Sequence, residues 1–166
     1  IEFNNNSIDV YYYQGGYTWR VLTTAVYRDT SAWYHVIVAV DTTQATASNR
    51  VRIYVNGSEV TAFSTASYPS QNADGAINNT VAHNISGLSG SSGFYFNGYL
   101  TEVNFIDGQA LTPSSFGETN TVTGVWGPKR YAGTYGTNGF YLKFADNSNT
   151  TAATLGKDSS GNGNNW

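Results

Sequence analysis

Acid–base cleavage of a glycosidic bond needs two carboxyl groups about 5–9 Å apart. On a β-strand that pair is most simply two acids at i and i+2, which share a face. The four glutamates here, Glu2, Glu59, Glu102 and Glu118, all lack Asp or Glu at i+2. Glu102 has Asn104 there and Asp107 at i+5, across the pleat, so no residue is assigned as catalytic. His35 and His83 are the only histidines, and no Gly-x-Ser-x-Gly elbow accompanies them. Cysteine is absent, which removes disulfides and thiolate chemistry, and the histidines have no zinc-ligand spacing.

Sugar binding asks for something different: planar stacking surfaces beside fixed hydrogen-bonding side chains. Tyr13, Tyr17 and Trp19 flank the Gly15-Gly16 turn, with Gln14 and Arg20 close by. Tyr13, Gln14, Tyr17 and Trp19 are therefore the candidate ligand-binding residues. The competing reading sends Trp19 into the core with Val21 and lets the tyrosines cover a sheet face. Trp33 and Trp126 are assigned to the core.

These residues must be held by strands. Trp33 to Val60 contains two strand-like runs, Tyr34 to Val40 and Arg50 to Val55, separated by the polar loop Thr42 to Asn49. Asn56-Gly57 follows the second run and is the pair best suited to a type I′ turn, which predicts a three-strand meander. Alternation puts Val51, Ile53 and Val55 on one face and Arg50, Arg52 and Tyr54 on a wet one. Ser7 to Tyr13 and Tyr17 to Leu22 predict a hairpin. Ser64 to Asp74, with Pro69, is expected as a surface loop. Val81, His83 and Ile85 predict a short strand, and Phe94 to Ile106 a long one bent at Gly98 after the loop Gly87 to Gly93. Thr112 before Pro113 predicts one capped helical turn, the only helix. Gly117 to Gly139 shows no clear periodicity, and Phe140 to Phe144 is a last strand.

About eight or nine short strands separated by turns indicate an all-β, antiparallel β-sandwich or jelly roll. At 166 residues one core is feasible. Only 11% of residues are charged and the net charge is −3, so the cationic field that holds a phosphate backbone is missing and nucleic acid is excluded as a partner. No run reaches the roughly 18 apolar residues of a membrane span. The chain opens at Ile1 without an initiator Met, as expected of a segment of something longer.

Trp33-Tyr34-His35-Val36 with Val38 and Val40, then Arg52-Ile53-Tyr54-Val55-Asn56-Gly57, resembles the central hairpin of laminin-G-like domains in the concanavalin A-like lectin/glucanase superfamily. Phe96-Asn97-Gly98-Tyr99-Leu100-Thr101-Glu102-Val103, with Ala110-Leu111, is similar to that family's late strand, which gives Glu102 a structural role. The segment from Ile106 to Gly117 is similar to laminin-G-like segments of phage virion and tail proteins. The resemblance implies a concanavalin A-like sandwich, incomplete at the N-terminus, over residues 1–145. The polar tail, 146–166, resembles a domain opening at Asp158 to Asn164, and is expected to start a further domain or act as an exchanged strand. Calcium held by Asp, Asn and backbone oxygens is also implied, with Asn72 and Asp74, and Asp146 and Asn147, as candidate ligands; each pair competes with an Asx turn.

The functional expectation is a non-enzymatic structural or binding module on a virion surface or extracellular assembly, recognising host glycans. The alternatives are a purely structural fibre or decoration subunit built by edge-strand pairing, and a fragment of a glycan-processing enzyme. An incomplete sandwich leaves a sheet edge open, so a homo-oligomer or larger assembly is expected. Five Asn-x-Ser/Thr sequons, at Asn5, Asn56, Asn78, Asn84 and Asn149, mark surface turns and candidate glycosylation sites.

Overall fold

The computed structural model describes residues 1–87 and 95–166. Its strands are β1 (Glu2–Asn4), β2 (Ser7–Tyr13), β3 (Tyr17–Thr23), β4 (Val36–Val40), β5 (Val51–Val55), β6 (Ser58–Glu59), β7 (Phe63–Ser67), β8 (Val103–Phe105), β9 (Gly117–Thr119), β10 (Trp126–Pro128) and β11 (Phe140–Leu142). All the pairings between these strands are antiparallel. The protein is an all-β concanavalin A-like sandwich, and the chain divides into two compact units, 1–75 with 110–133, and 76–109 with 134–166.

The first unit holds the regular sheets. One runs β1-β2-β3-β7 and the other β4-β5-β6. Their inner faces share a core of Ile8, Val10, Trp19, Val21, Val51 and Ile53, with Val36, Val38 and Val55 packed against it. The meander forms as its sequence predicts: Asn56 and Gly57 both take positive φ, 48° and 82°, which is the type I′ geometry. Asn5 and Asn6, at φ 48° and 67°, make the same kind of turn between β1 and β2.

Several expectations are corrected. Ser64 to Asp74 does not run as loop throughout, because residues 63–67 form β7 on the edge beside β3. The small Ser-Thr-Ala side chains there give no hydrophobic alternation to read. Tyr54 is buried rather than wet, at 6% exposure, because Leu111 and its neighbours lie beside it on the outer face of β4–β5. The helical turn at Pro113–Ser115 is 3₁₀, without a side-chain cap from Thr112, and a second 3₁₀ turn lies at Ala47–Asn49. The aperiodic Gly117 to Gly139 contains the β9–β10 hairpin.

The second unit is built differently. β8 pairs with β11, and Leu142 bridges to Asp158. Val81, His83 and Ile85 form no strand. Of the long strand expected over Phe94 to Ile106, Val103–Phe105 is strand and residues 95–102 are irregular, with Glu102 at φ 57°. A residue in that left-handed region ends a ladder. Leu88 to Gly93, in the expected loop, and Phe94 lie outside the described residues. Among the described residues no helix is long and apolar enough to cross a membrane.

Candidate functional site

The outer face of the β1-β2-β3-β7 sheet brings the candidate aromatic residues together through one irregularity. Tyr12 pairs with Trp19 and Tyr13 with Tyr17, so the register shifts and Thr18 is left over. An extra residue reverses the side-chain alternation of its strand. Tyr17 thereby joins Tyr13 and Tyr11 on the outside, while Trp19 faces the core with Tyr12 and Val21. The Tyr17 ring sits edge-to-face against Tyr11 at 5.3 Å and Tyr13 at 5.4 Å. Tyr13 and Tyr17 are 55% and 51% exposed. Gln14 Nε2 donates to the Tyr12 hydroxyl at 2.6 Å, which fixes the amide at the hairpin end. Tyr13, Gln14 and Tyr17 thus cluster at one end of the sheet. Trp19, 7% exposed, is core and does not.

Beneath the tyrosines lies a polar network invisible to a residue-by-residue reading. Asp9 is fully buried and takes a fork of bonds from Arg20, Nε at 3.0 Å to each carboxylate oxygen and Nη2 at 2.5 Å to Oδ2. Asn4 Nδ2 adds a further bond to Asp9 at 3.1 Å. The guanidinium lies 4.4 Å from the Tyr17 ring centroid, a cation–π contact. The hydrogen bond to Asp9 raises the Arg20 pKa above its usual value. Glu2 opposes Asp9 across β1–β2 and accepts from the Tyr11 hydroxyl at 3.1 Å. Burial first, then the charge of Glu2, pushes Tyr11 up to about 12. The hairpin register was the available signal: Asp9 and Arg20 follow once Gly15-Gly16 is taken as the turn.

Glu2 and Asp9 stand on directly opposed positions, yet Asp9 is covered by Arg20 and inaccessible to a substrate. The other glutamates are engaged singly: Glu59 with Arg52 at 3.9 Å, Glu118 with Lys129 at 3.8 Å, and Glu102 with the Tyr141 hydroxyl. His35 accepts at Nδ1 from Trp126 Nε1 at 2.9 Å, with the rings stacked 6.0 Å apart. His83 Nε2 lies 3.0 Å from the Ala76 carbonyl oxygen. Trp126 is half-buried, filling the space over Gly57 and Gly117. Trp33 is not core: it is 65% exposed, just ahead of β4, where no strand holds its side chain inward.

The calcium candidates are scattered. Asp146 Oδ1 accepts the Ser148 N–H and hydroxyl, at 3.1 and 2.6 Å, an Asx turn. Those bonds, with the hydroxyl first, hold its carboxyl below the usual range. Asp74 accepts the N–H of Gly75, and Asn72 turns the chain at φ 56°. Asn147 lies within the Asp146 turn and is exposed. Among the described residues no group of three His, Cys, Asp or Glu converges on a metal position, so these residues do not fit a carboxylate cage. All five sequon asparagines are exposed. Asn56 accepts the His35 N–H at 2.9 Å, and Asn78 bonds both Asp107 and Asn138.

A shallow depression on the outer face of β4–β5 was missed in the sequence. Asp41, Gln44, Asn49, Arg52, Tyr54 and Leu111 line it. It is polar, with Gln44 Nε2 donating to Asp41 at 2.6 Å.

A laminin-G family model described as the concanavalin A-like lectin/glucanases superfamily matches residues 1–115. The chain belongs to that family. The matched stretch contains the whole tyrosine face and the meander, and membership points to a carbohydrate-binding or structural module. No curated protein and no solved structure matches the chain.

Proposed function

We propose that this protein is a non-enzymatic binding module that holds a saccharide on the tyrosine face of its four-stranded sheet, as part of a virion-surface or other extracellular assembly. The observation carrying this reading is the pair Tyr13 and Tyr17, each about half exposed and packed with Tyr11. Aromatic rings offered to solvent on a rigid sheet suit the C–H faces of a pyranose, and their phenol groups suit its hydroxyls. Family membership makes a saccharide the expected class. The similarity of Ile106 to Gly117 to phage virion and tail segments supports the setting.

The test is a glycan array read with the wild type and with Tyr13→Ala/Tyr17→Ala. The double variant is expected to lose binding at least tenfold, about 1.4 kcal/mol, at an unchanged circular dichroism spectrum. Binding of no sugar, or binding indifferent to both substitutions, overturns the reading. Failure on the array would leave a structural subunit joined through sheet edges, a reading favoured by β1 and β7 standing as the outer strands of their sheet. A species of monomer mass in light scattering at every concentration would remove that second reading.

A further inference from the structure

We infer that the tyrosine face selects uncharged saccharides and rejects acidic ones, because its guanidinium is already committed to a buried carboxylate. This deepens the saccharide reading and rests on it. An acidic sugar is normally recognised by a guanidinium that can present two parallel N–H donors to the carboxylate or sulfate. Arg20 is the cation placed against the tyrosines, and it presents that fork to Asp9 instead. Asp9, with no exposed surface and a further bond from Asn4, cannot swing away to release it.

What remains on the face is an excess of negative charge. Glu2 lies opposite Asp9 and touches Tyr11, so two carboxylates stand against one guanidinium. The Tyr11 phenol, its pKa pushed to about 12 by burial and then by Glu2, stays neutral and, with its proton given to Glu2, serves a hydroxyl ligand as acceptor. A neutral pyranose meets stacking surface and hydroxyl partners here. A sialylated, uronic or sulfated one meets a like charge.

The test uses matched probes that differ only in the acidic group, such as lactose with sialyllactose and glucosides with glucuronides, at neutral pH and low salt. The neutral member of each pair is expected to bind at least fivefold more tightly. That preference should shrink in 0.5 M NaCl, where charges are screened beyond about 4 Å, and on Glu2→Gln. Asp9→Asn removes the charge that occupies Arg20 and should shift the preference toward the acidic member. Should that variant fail to fold, Glu2→Gln, altering a partly exposed side chain, carries the test alone. Equal or tighter binding of the acidic probes by the wild type, or a preference untouched by salt and by Glu2→Gln, overturns the inference while leaving a sugar site in place. Binding of neither class overturns the saccharide reading as well.

Discussion

Asp9 in the first unit and Asp158 in the second are both buried, and the protein meets their charges by different means. Asp9 sits on a seven-residue strand and is answered by a full positive charge, Arg20, which the ladder places diagonally across from it. Asp158 sits in irregular backbone and is answered by neutral donors: the N–H groups of Tyr141 and Ser160 at 2.8 Å on one oxygen, and the Ser160 hydroxyl and Asn164 N–H at 2.7 and 3.0 Å on the other. Where strands are long, the sheet positions side chains and a carboxylate is paired across it. Where they are three residues long, as in β8 and β11, one carboxylate organises the backbone around itself.

The first consequence is also the largest. Removing one partner of a buried ion pair leaves an uncompensated charge, at about 3–5 kcal/mol. Arg20→Ala should therefore lower unfolding free energy by roughly that amount, read by urea denaturation, although the substitution lies on the outer face of its sheet. Arg20→Lys, which keeps the charge but loses the fork, should recover part of it. A loss below about 1 kcal/mol for Arg20→Ala, the range of exposed pairs, would show that water reaches Asp9 and that the two aspartates are not the contrast they seem from burial.

The same contrast explains what could be read in the sequence. Period-two alternation found β2 and the faces of β5, Val and Ile content found β4, the Gly15-Gly16 break found β3, and Asn56-Gly57 found the turn, because few residues accept two positive φ angles. It failed at β7, whose Ser-Thr-Ala side chains carry no pattern. It misled at Val81, His83 and Ile85, where alternation occurs but, among the described residues, no strand pairs with it. In the second unit order comes from Asn side chains donating to distant carbonyls: Asn162 to Gly136 and Gly139, and Asn164 to Thr137 and Gly139. Those partners are set by tertiary position and leave no periodic trace. At the candidate site Tyr13, Gln14 and Tyr17 were legible as turn-flanking residues. Trp19 stood in two competing readings, with them or in the core with Val21, and the leftover Thr18 that decides for the core appears only in the pairing.

Asp158 supplies the second, smaller effect. Asp158→Ala strands several buried donors at once, and a penalty of about 1–3 kcal/mol is expected. Asp146→Ala, in an exposed turn of the same chemistry, should leave the melting temperature unchanged. Burial pushes the Asp158 carboxyl up, but the bonds from Tyr141, Ser160 and Asn164 prevail and hold it below the usual range. A carboxyl depressed in the folded state stabilises fully above its unfolded value, about 3.9, and loses that stabilisation as pH falls through the folded value. Wild-type stability should thus decline below about pH 4 more steeply than that of Asp158→Asn. Equal slopes would mean that the neutral donors do not favour the charged form.

His35 is the intermediate case, a half-buried ionisable group with one neutral partner. It receives the Trp126 N–H at Nδ1, so the bond exists only while that nitrogen is unprotonated, and burial lowers the His35 pKa below its usual 6.5. A histidine depressed in the folded state stabilises fully above the unfolded value and loses that contribution as pH falls below it. One such hydrogen bond contributes about 1 kcal/mol, the smallest effect of the three. The Trp126 indole N–H resonance should be protected from exchange at pH 7.5 and lose that protection as pH falls below the usual histidine value of about 6.5, with the β9–β10 hairpin following because Trp126 fills the space over Gly57 and Gly117. His35→Phe keeps the stacked ring without the acceptor and should flatten the pH response while leaving the hairpin packed. An indole signal unchanged down to pH 5 in the wild type would mean that stacking alone secures Trp126, and would place His35 with the core residues of the meander.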